Sequence, residues 1–161
     1  MQLINEIFAP DPSNYCIRKK YSIIFPVMPK KPNKSGMVTR TPAAVPSDSA
    51  VVTKAALRAA DILHIKDKQF ARIIGVSPST VSRMRSGTSP IDRSQKPFEL
   101  AVLFVRLYRS LDAIVGGDDT VARAWLVNRN TALDSVPLEL IQSVSGLTNA
   151  IQYLDARRAI T

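Results

Sequence analysis

The chain has 161 residues, room for one domain or two small ones, and its 45% apolar content supports a buried core. A formal net charge of +9 makes a polyanion, either nucleic acid or an anionic membrane surface, the leading partner class. There is no apolar run of the ~18 residues that a spanning helix needs, and the single cysteine, Cys16, excludes an intrachain disulfide.

Residues 1–46 hold seven of the eleven prolines, each of which fixes φ and removes a donor, so a disordered tail with a basic tract at Lys30, Lys31 and Lys34 is expected. The apolar patch Tyr21–Met28 follows Arg18, Lys19 and Lys20 but is broken by Pro26 and has no small-residue cleavage pattern. A signal peptide is therefore not expected, and a reducing, cytoplasmic setting is. Met28 and Met37 both lie in the tail, so a natural start later than residue 1 is a further expectation.

From Ser47 the pattern turns helical. Ser47, Asp48 and Ser49 offer caps to a run in which Val52, Ala56, Ala59 and Leu63 share one face and Lys54, Arg58 and Asp61 the other. Two short helices are predicted next, over about 67–74 and 78–85. Gly75 supplies the turn, and Ser77 is an N-cap with Pro78 behind it. Ala71 is small enough for a close crossing, and Phe70, Ile74, Val81 and Met84 form a small core. That arrangement is a helix-turn-helix. It leaves Ser79, Thr80, Ser82 and Arg83 near the start of the second helix, where such a unit reads base edges. Lys66, Lys68, Arg72, Arg85, Arg93 and Lys96 surround it as candidates for phosphates. Charge agrees, since residues 51–96 carry nine Lys/Arg against three acids, whereas residues 97–161 carry six against seven.

The next predicted helix is capped near Ser94, has Pro97 in its first turn and closes at Gly116 and Gly117. Its polar stripe of Glu99, Arg106 and Ser110 is narrow, so it is expected either at the centre of the core or in an oligomer interface. Asp118 and Asp119 open another helix. Pro137 opens one that is expected to end at Gly146, and a last helix follows from Leu147. No alternating run of strand length occurs. The expected fold is all-α, with a tail at 1–46, a helix-turn-helix domain at 47–96 and a second helical domain at 97–161.

Ala71, Gly75, Val81, Met84 and the cap at Ser77 together resemble the phage-repressor (Xre/Cro) class of helix-turn-helix. From about Phe104 on, the chain resembles the toxin-binding domain of the MbcA/ParS/Xre antitoxins. That resemblance rests on Ala124-Trp125-Leu126, Asn130, Leu133, Pro137-Leu138, Ser143-Val144-Ser145-Gly146 and a closing helix with Leu154. The ending "ARRAIT" departs from it, since many relatives carry a glycine there. The whole chain thus resembles an Xre antitoxin of the RES–Xre type. The resemblance implies a cognate RES-domain toxin, similar to ADP-ribosyltransferases, that consumes NAD, and a complex that represses its own operon at operator DNA.

For the second module the residues themselves leave choices open. Trp125 fits either the core or an interface with the toxin. Arg157 and Arg158 fit either an anionic or nucleotide-shaped pocket of the toxin or a solvated helix end. A homodimer is expected, because paired half-sites give such modules their affinity. No catalytic role, cofactor or metal is expected. His64 lies at a helix end among apolar neighbours, Cys16 has no histidine near it in sequence, and Asp118 and Asp119 suit a helix N-terminus. A stand-alone regulator without a toxin, and an interaction protein that ignores DNA, are the competing readings.

Overall fold

The computed structural model describes residues 47–159, so the expectations for the proline-rich tail lie outside the described residues. Helix α1 (Asp48–Ile62) starts where the Ser47 hydroxyl accepts the Ala50 N–H at 3.3 Å. At its other end the Ile65 N–H reaches the Ala60 carbonyl at 2.9 Å and the His64 N–H the Asp61 carbonyl at 3.1 Å. This reciprocal closure puts His64 at φ 54°, a left-handed position usual for glycine. His64 is exposed there instead of resting among its apolar neighbours.

The buried face of α1 is Thr53, Ala56, Ala59, Ala60 and Leu63, so Thr53 takes the place expected for Val52, which is only half-buried. A buried hydroxyl needs partners, and Thr53 has two. It donates to the Ser49 carbonyl at 2.6 Å and accepts the Ile91 N–H at 2.9 Å. The segment after the recognition-type helix is thereby tied back onto α1.

Helices α2 (Asp67–Ile74) and α3 (Pro78–Arg85) form the expected pair. Gly75 turns between them at φ 72°, and Ser77 caps α3 by accepting the Thr80 N–H at 3.2 Å. Helix α4 (Lys96–Val115) begins after Gln95. Ser94 is not its cap. The Ser94 N–H and hydroxyl both donate to Asp92, at 3.0 and 2.9 Å, and these bonds hold the exposed Asp92 carboxyl below the usual carboxylate range.

Of the two places open to α4, the structure gives it the centre of the core. It packs against α1 and α2 on one side, and against α5 (Asp119–Val127) and α7 (Val144–Arg158) on the other. It buries Ala101, Phe104, Leu107, Ser110 and Leu111. The Phe104 ring meets Phe70 of α2 edge-to-face with centroids 5.5 Å apart. Ser110, placed by the sequence on the polar stripe, is buried because its hydroxyl donates to Asp155 of α7 at 2.8 Å.

Asp118 caps α5 by accepting from the Thr120 and Val121 N–H groups at 2.9 and 3.2 Å. The chain then doubles back through an isolated antiparallel bridge between Asn130 and Ser135 and enters the short α6 (Pro137–Leu140). Gly146 does not end a helix as expected. Ser143 caps α7 by accepting the Gly146 N–H at 3.1 Å, and α7 runs through Gly146 to Arg158. Among the described residues there is no strand, and no helix is long and apolar enough to cross a membrane.

Candidate nucleic-acid interface and carboxy-terminal surface

Helix α3 is eight residues long and rests on the molecule through Val81 and Met84, both buried. α2 supplies Phe70, Ala71, Ile73 and Ile74 to the same core, with Ala71 only 2% exposed at the helix crossing. Packing of this side leaves the opposite side open. Ser79, Ser82 and Arg83 are exposed and Thr80 is half-buried. The Ser77 hydroxyl lies 2.8 Å from those of both Ser79 and Thr80, and Arg83 Nη2 donates to Thr80 Oγ1 at 3.4 Å. Within about two turns the protein thus presents rotatable hydroxyls and one planar guanidinium. Hydroxyls suit several base edges, and the guanidinium fork suits the N7/O6 edge of guanine.

Of the flanking cations, Lys66, Lys68 and Arg72 are exposed on α2 or just before it. Arg72 Nη1 makes a long hydrogen bond of 3.4 Å to Gln142 of the carboxy-terminal half. Arg93 pairs with Asp48, and Lys96 with Glu99 at 3.2 Å. Exposed pairs of this kind are worth about 0–1 kcal/mol, so both cations can turn to a phosphate at little cost. Arg85 is held differently. Its Nη1 is 2.8 Å from Asp61 and its Nη2 2.9 Å from Asp67, and Asp67 foremost raises its affinity for the proton.

In the carboxy-terminal half, Trp125 is 2% exposed. It is part of the core that α4 and α5 share. Arg157 lies over the Tyr153 ring, 5.5 Å from the centroid, and Arg158 is exposed one residue beyond. Val127 and Val144 are exposed apolar residues of the same half, at 56% and 60%. Sequence reasoning missed Arg123, whose Nε donates to the Ile62 carbonyl at 2.6 Å. It binds an otherwise unsatisfied carbonyl at the end of α1. No spacing in the sequence points to a backbone partner so distant.

Asp155 joins α7 to α4. The Ser110 hydroxyl, and after it the Arg106 guanidinium, hold its carboxyl below the usual range against the opposing effect of burial, with Arg158 adding a smaller push in the same direction. A depressed carboxyl contributes stability that is complete above the unfolded-state value of about 3.9 and is lost as pH falls through the folded value. Asp155→Asn should therefore lower the thermal midpoint at neutral pH and shrink its further fall between about pH 5 and pH 3. An unchanged acid limb, followed by calorimetry, would assign the acid sensitivity elsewhere.

Residues 42–106 match the family model of the antitoxin Xre-like helix-turn-helix domain, and residues 110–159 that of the antitoxin Xre/MbcA/ParS C-terminal toxin-binding domain. No curated protein matches the chain. The two matched segments meet inside α4, the helix that packs against both halves. With a helix-turn-helix whose outer face carries hydroxyls and arginine, joined through one helix to a toxin-binding domain, the chain belongs to the Xre-type antitoxins, the DNA-binding antitoxins of toxin–antitoxin systems.

Proposed function

We propose that this antitoxin acts in the cytoplasm, neutralises a RES-type, NAD-consuming toxin, and represses its own operon as a homodimer bound to paired operator half-sites. The observation that carries the DNA half is the open face of α3. Ser79, Thr80, Ser82 and Arg83 stand within one turn or so of each other there, and Lys68 and Arg72 are exposed on the adjoining α2. Arg83→Ala should cost about 1–3 kcal/mol on the operator and little on unrelated DNA. Lys68→Ala should instead weaken binding to all sequences and flatten the dependence on salt by about one ion. Titrations of both variants at several salt concentrations separate the two roles, and unchanged binding by both would place the reading face elsewhere.

For the toxin half the reading rests on the resemblance of the whole chain to Xre antitoxins of the RES–Xre type and on the two arginines near its end. The neighbouring gene is induced alone, with the whole antitoxin, and with an Arg157→Ala/Arg158→Ala variant. Growth arrest relieved by the whole chain and not by the variant supports arginines that enter the toxin. No arrest by the neighbour would favour the stand-alone regulator. A chain stopped after Lys96 cannot serve as the comparison, because it would lose Phe104, against which Phe70 packs.

A further inference from the structure

Arg85 is the last residue of α3, and one guanidinium there joins three helices. Nη1 binds Asp61 in the last turn of α1 at 2.8 Å, while Nε and Nη2 both reach Asp67 Oδ1, in the first turn of α2, at 2.9 Å. Its side chain is 32% exposed, against 71% for Arg93 in an ordinary surface pair. A carboxylate near the negative end of α1 is unfavourable unless a cation stands beside it, and Arg85 is that cation. A DNA phosphate approaching Arg85 meets a guanidinium whose charge is already shared by two carboxylates, and those carboxylates repel it. The buried side chains of α3, Val81 and Met84, hold one face of it, and Arg85 adds ion pairs that join the end of the helix to both α1 and α2.

We propose that Arg85 is a positioning residue of the DNA-reading surface, not a phosphate contact: with Asp61 and Asp67 it sets the roll of α3, and so the aim of Ser79, Ser82 and Arg83. Rotation of α3 by a fraction of a turn would move those side chains off their base edges while leaving Lys68 and Arg72 on α2 undisturbed. Sequence discrimination therefore depends on the triad, and the count of phosphates neutralised does not. A lysine cannot replace the arginine, because an ammonium lacks the planar fork that meets two separate carboxylates at once.

The inference rests on operator binding as proposed above. Its test uses the full chain, a duplex from upstream of its own coding region, and a scrambled duplex of equal length, titrated over a range of salt. The variants are Arg85→Lys and the double variant Asp61→Asn/Asp67→Asn, with thermal unfolding to check that both are folded. The expected result is that both lose about tenfold or more in the ratio of upstream to scrambled affinity, the size of one lost base contact, with the salt dependence of Arg85→Lys, which keeps the charge, unchanged. The double variant is the sharper arm. Removing two negative charges should strengthen DNA binding if they act by charge alone, whereas the triad requires discrimination to fall. Full discrimination by Arg85→Lys, or improved discrimination by the double variant, would overturn the proposal. Wild-type protein that fails to tell the two duplexes apart would overturn the operator reading and this inference with it.

Discussion

Phe104→Ala is expected to remove about 3–5 kcal/mol of stability, much of what a domain of this size holds. Phe104 is fully buried, midway along α4, and its ring is the edge or face that Phe70 of α2 packs on. Truncation leaves a cavity that must be lined by side chains from different helices, and the long α4 cannot collapse into it without shifting its contacts with α7. DNA binding and toxin neutralisation should therefore fail together, and urea denaturation should show one transition at lower denaturant with an unchanged slope. Two separate transitions, with the carboxy-terminal half unaffected, would mean that α4 does not unite the halves energetically.

Chain punctuation made the helix-turn-helix legible. Gly75, Ser77 and Pro78 each act within a few residues of themselves, so the ends of α2 and α3 fall where the sequence places them. Reading failed wherever a partner distant in sequence decided the outcome. Thr53 displaces Val52 from the core because Ile91 satisfies its hydroxyl, and Ser110 leaves the polar stripe because Asp155 does the same. Ser94 is a local failure instead, since Asp92, only two residues before it, takes the hydroxyl that a cap would use. Arg85 reads as one more cation near the interface, since nothing in its neighbourhood of sequence announces Asp61 and Asp67 around it. For the proposed reading face the residue types and the helix are legible, because exposure at the start of α3 follows from the burial of Val81 and Met84 opposite.

Gly146→Ala sets two effects of opposite sign against each other. Gly146 stands in the first turn of α7, so helix propensity alone predicts that alanine stabilises by up to about 1 kcal/mol. Contact predicts the reverse. A Cβ at this position would lie 2.0 Å from the Leu140 carbonyl oxygen and 2.8 Å from Ser143 Oγ. That oxygen has no freedom to retreat, since it accepts both the Ser143 N–H and the Ser143 hydroxyl at 3.2 Å. Relief requires α6 to part from α7, which would break the cap at Ser143 and open the buried Ile141 and Leu147 to water. The glycine is needed for the close approach of two backbones, not for the helix end that the sequence suggests. Overpacking costs about 1–3 kcal/mol where side chains can yield, and a backbone oxygen yields less, so a loss at or beyond the top of that range is expected. Ser143→Ala, which removes the cap and adds no atoms, should cost about 1 kcal/mol. In the growth assay the Gly146→Ala chain should protect against the toxin far less well than Ser143→Ala. Should alanine at position 146 raise the unfolding midpoint instead, propensity would outweigh contact and the α6–α7 junction would be looser than its geometry implies.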